Sequence, residues 1–100
     1  MVEIITDKVG RKIHLRRVGV VEQLRLFKAL GPTLSLNDPY MDMAIIAAST
    51  SMIDDVPLPF PTSESAVEML LERLGTEGVI AVNAAFPVAS QIELAAEAGN

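Results

Sequence analysis

The chain is 100 residues long, half of them hydrophobic, with four aromatics, one histidine, no cysteine and a net charge of −5. That length is one domain, able to bury about two-thirds of its unfolded surface in one modest core. The lack of cysteine excludes disulfide frameworks, thiolate zinc sites and thiol catalysis, and the acidic balance argues against nucleic-acid binding through a basic surface.

Mean hydropathy is high, +0.37. A membrane span does not account for it. The charge-free stretch 79–92 contains Asn83, Pro87, Ser90 and Gln91 and is shorter than the roughly 20 apolar residues that a spanning helix needs. The first residues lack the basic and apolar regions of a signal peptide, so a cytoplasmic protein is expected. Its surplus apolar surface must be buried in its own core or against another protein. The charges are also polarised. Residues 1–30 carry seven of the eight basic residues against three acids, a net of +4; residues 31–100 carry Arg73 alone against ten acids, a net of −9. Such a chain can satisfy itself by folding head onto tail, or by stacking head-to-tail with copies of itself.

In chain order, residues 2–17 read as a β-hairpin. Ile13 and Leu15 alternate with Lys12, His14 and Arg16, and Asp7 and Gly10 supply the turn. Residues 20–30 read as an amphipathic helix. Its inward stripe is expected to be Val20, Leu24, Phe27 and Leu30, and Gly31-Pro32 end it. A second helix is expected over about 38–50, capped by Asn37 or Asp38 with Pro39 in its first turn. It is apolar nearly all round, with Met41, Met43, Ile45 and Ile46 among four alanine and tyrosine neighbours. Residues 52–61 read as a bend or minimal hairpin at Asp54-Asp55, then a proline-rich connector. A third helix spans about 63–74, with Val67, Leu70, Leu71 and Leu74 inward and Gly75 closing it. A fourth spans about 77–98, with Val79, Val82 and Phe86 on one face and a break near Pro87. The expected fold is α+β: one domain, an N-terminal β-hairpin packed on a small bundle of three to four helices.

Catalytic constellations are missing. His14 lies between Lys12 and Arg16 on the wet face of its strand with no local acid to orient it. Asp54-Asp55 lacks the spaced oxygen ligands of a calcium loop. No glycine pattern forms a phosphate loop. An enzyme is therefore not expected, nor a metal, a cofactor or a nucleic-acid partner. What stands out is surface for other proteins. Met41, Met43, Ile45, Ile46, Val79, Val82 and Phe86 are candidate partner-binding residues, because the second helix and residues 79–92 are expected to be partly exposed and methionine adapts its shape to variable partners. Glu64, Glu68 and Glu72 form an acidic ridge at i, i+4, i+8. With Arg11, Lys12, Arg16 and Arg17 they are candidates for electrostatic self-association.

Four stretches carry a resemblance: residues 4–16 (IITDKVGRKIHLR), 22–31 (EQLRLFKALG), 53–57 (IDDVP) and 70–79 (LLERLGTEGV). Over roughly residues 2–85 they make the chain resemble tail assembly chaperones of long-tailed bacteriophages and prophages. Asp54-Asp55 departs from that pattern, where Asp-Gly is the expectation. The resemblance implies a small α+β or mainly helical protein acting in the cytoplasm of an infected or lysogenic bacterium. It would bind the aggregation-prone tape-measure protein, help to recruit tail-tube subunits, and be absent from the finished virion. A structural virion protein (a tail-completion or connector subunit) and a small bacterial adaptor or regulatory subunit are the alternatives.

Overall fold

The first strands form where the alternation places them, β1 at Glu3–Thr6 and β2 at Lys12–Leu15, paired antiparallel with Ile5 opposite Ile13 and Ile4 opposite His14. The fold comes from a computed structural model, which describes residues 3–85. Gly10 takes a φ of 94° in the connecting turn, a conformation that glycine adopts without steric cost. Asp7 fixes that turn by accepting the backbone N–H groups of Val9 and Arg11 at 3.0 and 2.9 Å.

Helix α1 spans Val20–Leu34. Gly19 and Glu22 close its start, the Glu22 carboxylate accepting the Gly19 N–H at 2.9 Å. Gly31, at φ 85°, breaks it before a last short turn, so the expected Gly-Pro stop is present. Helix α2 spans Asp38–Ser49. Asn37 caps it, its side-chain oxygen accepting the Tyr40 N–H at 3.1 Å. Its last hydroxyls turn inward: Ser49 and Thr50 donate to the carbonyls of Ile45 and Ile46, competing with the helical ladder where it gives way to strand.

Strand β3, Thr50–Ile53, follows at once and pairs with the free edge of β2, with Ile13 opposite Ile53, His14 opposite Met52 and a bulge between His14 and Leu15. Strand β4, Val56–Pro57, folds back on β3 across Asp54-Asp55. The expected minimal hairpin is therefore real, and it extends the N-terminal hairpin into a four-stranded antiparallel sheet of order β1-β2-β3-β4. Asp54 stands at φ 52°, and its carboxylate accepts the Lys12 N–H at 3.0 Å, stitching this turn to β2.

Helix α3 spans Glu64–Ala85 and is broken at Gly75, at φ 65°. Ser63 caps it through the Ala66 N–H at 3.1 Å. The expected third helix and the start of the fourth are thus the two halves of α3, meeting at the glycine. Phe86 and the break expected near Pro87 lie outside the described residues.

The core is Ile13, Leu15 and Ile53 from the sheet, Leu58 from the connector, Leu26 and Leu30 from α1, Met41, Ala44, Ile46, Ala47 and Ala48 from α2, and Val67, Leu70, Leu74 and Val82 from α3. Helix α2 packs most extensively against α3 and also meets α1 and β3. Its all-round apolarity has this cause: it lies between other elements, and three alanines let them approach closely. The expected partial exposure of this helix is confined to a narrow part of its surface. Of its large apolar residues only Met43 is exposed.

Candidate interaction surfaces

Three of the candidate partner-binding residues are core. Met41, Ile46 and Val82 are buried, so the folded chain cannot offer them to a partner. A helical apolar period is the same whether a face turns inward or outward. Ile45 and Val79 are half-buried against the core, and Met43 is exposed.

The structure brings Met43 and Val79 together. With Leu71, Gly75, Thr76 and Ile80 they line a shallow groove of about 450 Å³ between α2 and the break in α3. Gly75 makes the groove. Its positive φ ends one helical half and re-aims the next, so Leu71 and Val79 sit on either side of a gap. Ile80 is 52 % exposed, which leaves the groove mouth apolar. A second hollow, about 320 Å³, lies between the proline-rich connector and α3, with Leu58, Phe60, Met69 and Arg73 among its walls.

Two of the four candidate cations, Arg11 and Arg16, make their bonds inside the fold. Arg11 Nε donates to Asp7 Oδ2 at 2.9 Å, and its Nη2 lies 2.8 Å from the same oxygen. Its Nη1 donates to the carbonyl of Arg73 at 2.8 Å, and Nη2 to that of Leu74. These carbonyls stand at the Gly75 break, and the last carbonyls of a helix are the ones that take donors from outside it. Gly78 makes room: a Cβ there would stand 3.2 Å from Arg11 Nη2. Burial pushes the Asp7 carboxyl up, but the Arg11 backbone and side chain and the Val9 N–H outweigh it and hold the group below its ordinary value. Arg16 braces the other end of the sheet. Its Nη2 donates to the carbonyls of Thr50 and Leu58, and the guanidinium lies 5.9 Å from the Phe60 ring centre. Burial lowers its pKa. Lys12 and Arg17 remain exposed.

The acidic ridge is where the helix period places it, with Glu64, Glu68 and Glu72 all exposed on α3. Glu68 accepts the Tyr40 hydroxyl at 2.9 Å. Partial burial, then that bond and the charges of Glu68 and Glu64, push the phenol up to about 12.

The surface that sequence reasoning misplaced is α1. Three of the four residues expected to face inward face out: Val20 is 77 %, Leu24 58 % and Phe27 41 % exposed, with Val21 beside them, while the fourth, Leu30, enters the core together with Leu26. The helix carries two apolar stripes. The available signal was the pair Leu26 and Leu30, at i, i+4, with Ala29 between them and half-buried.

No helix among the described residues is long and apolar enough to cross a membrane. No family model, curated protein or solved structure matches this chain.

Proposed function

We propose that this protein is a phage tail assembly chaperone that binds the tape-measure protein and helps to recruit tail-tube subunits. The observation that carries the reading is the groove at Gly75, where an adaptable methionine and a row of aliphatic side chains lie open beside a helix break. An amphipathic segment that lays its apolar edge in such a groove is a recurring mode of peptide recognition. Met43 at the rim suits a partner whose sequence varies along its length, because its side chain re-packs at little cost. The resemblance of residues 4–16, 22–31, 53–57 and 70–79 to this family supports the same reading.

The test is co-expression of the tape-measure protein from the same phage or prophage with and without this chain. The tape-measure protein should move from the insoluble to the soluble fraction when the chaperone is present. Met43→Glu with Ile80→Glu, both exposed positions, should abolish that effect while leaving the circular dichroism unchanged. Unchanged tape-measure solubility with the wild-type chain, or recovery of the chain in finished particles, overturns the proposal.

A further inference from the structure

The hollow between the proline-rich connector and α3 has two anchored walls. Pro57, Pro59 and Pro61 lock the backbone φ along one of them. Leu58, between the first two, is buried and donates its N–H to the Ser51 carbonyl at 2.8 Å, which ties this wall to β3. The Arg16 guanidinium holds it as well, donating to the Leu58 carbonyl and lying 5.9 Å from the Phe60 ring centre. The other wall is α3, seated in the core by Val67 and Leu70. Between them about 320 Å³ stays open, about twice the volume of an engineered cavity that takes up benzene. Val56 and Met69 line it and are both exposed, so its mouth is apolar. One cation belongs to it. Arg73 lines the hollow, is exposed, and is the sole basic residue of 31–100. Among the described residues no salt bridge reaches its side chain, and no carboxylate lines the hollow. Ala66 and Arg73 mark the two ends of the α3 wall, about 10 Å apart along the helix.

We propose that this hollow binds a small amphiphilic anion: an apolar chain about 10 Å long, laid along α3 against Leu58, Phe60 and Met69, that ends in one carboxylate on Arg73. Size and charge together select this occupant. The volume stands at the lower end of small-molecule sites. A partner helix, about 10–12 Å across with its side chains, is too wide for it. A guanidinium that no carboxylate faces favours an anion over a neutral or cationic head, and its planar fork matches the two oxygens of a carboxylate. The locked prolines form the site in advance, so little affinity is lost in ordering it. The hollow shares no lining residue with the groove at Gly75, and this inference does not depend on the chaperone reading.

Titration with octanoate tests it, read by NMR on the full chain labelled at its methionine methyl groups. Met69 lines this hollow, Met43 lines the other groove, and Met41 is buried in the core. Octanoate should shift the Met69 methyl resonance saturably and leave those of Met41 and Met43 in place. Octanol, the same chain with a neutral head, should bind about fivefold more weakly, and octylammonium more weakly still. Arg73→Gln should bring octanoate down to the affinity of octanol and leave octanol unchanged; the backbone carbonyl that Arg11 uses is spared. Ala66→Phe, which fills the slot, should abolish binding of both. Arg73→Gln alters an exposed side chain and decides the matter even if Ala66→Phe does not fold. A Met69 methyl that octanoate leaves in place overturns the proposal, whether the hollow stays empty or residues 86–100 already fill it. So do equal shifts at Met43 and Met69, or an Arg73→Gln chain that binds octanoate as the wild type does.

Discussion

Arg11 spends its guanidinium on two elements, giving Nε and Nη2 to the Asp7 carboxylate and Nη1 and Nη2 to the carbonyls that end the first half of α3. Arg11→Ala leaves the Asp7 side chain, itself fully buried, with backbone donors alone, and removes the Arg11 donors from the Arg73 and Leu74 carbonyls. The loss should be about 2–4 kcal/mol, read as a lower urea midpoint. Arg11→Lys should recover little of it, because an ammonium cannot span both sites. The lowered Asp7 pKa sets a pH dependence. Its stabilisation is complete above the ordinary carboxylate value of 3.8 and is lost as the pH falls through the lower folded-state value. In Arg11→Ala that part of the acid limb should flatten. Tyr40, the sole tyrosine, offers a direct optical readout at the alkaline end. Its phenolate absorbance should rise near pH 12, and Glu68→Gln should move the transition down. The raised value favours the fold fully below the unfolded phenol's pKa of about 10, and that advantage disappears as the pH rises through the folded-state value.

At the scale of elements, α1 and α3 differ in what their patterns disclose. The breaks in both were legible, because Gly31 and Gly75 take positive φ and few other residues accept it. The inward stripe of α3 was legible too, since Val67, Leu70 and Leu74 are its one continuous apolar row in the first half. In α1 the row at Val20, Leu24 and Phe27 competes with Leu26 and Leu30, and a period of 3.6 residues cannot say which row meets the sheet. Stability should separate them. Leu26→Ala creates a cavity and should cost about 2–4 kcal/mol, whereas Leu24→Ser should change thermal stability by less than about 0.5 kcal/mol. The Gly75 break gives a second element-scale prediction. Gly78→Ala forces a Cβ to 3.0 Å from Leu74 and 3.2 Å from Arg11 Nη2. Its cost should therefore overlap with that of Arg11→Ala, and a double-mutant cycle in urea should show a coupling of about 1 kcal/mol.

For the molecule as a whole, the sheet and α2 are the anchored part and α1 the peripheral one. Helix α2 is enclosed by α1, α3 and β3, while α1 contributes only Leu26 and Leu30 to the buried set. Native-state hydrogen exchange should follow that division, with amides of α2, β2 and β3 opening near the global free energy and those of α1 opening well below it.

Local rules written in the sequence determined the elements of this protein: the hairpin from its alternation and Asp7-to-Gly10 turn, the caps at Asn37 and Ser63, the breaks at Gly31 and Gly75, and the turn at Asp54-Asp55. Each depends on residues a few positions apart, whose φ, hydrogen bonds and spacing are settled within one turn of chain. The tertiary structure decided what those elements face. It joined β3 to β2 across 34 residues from Arg16 to Ser49, enclosed the apolar α2, drew Arg11 and Arg16 inside, and turned Val20, Leu24 and Phe27 to solvent. Those outcomes follow from which surfaces pack against which, and burial is a property of neighbours that no local pattern contains.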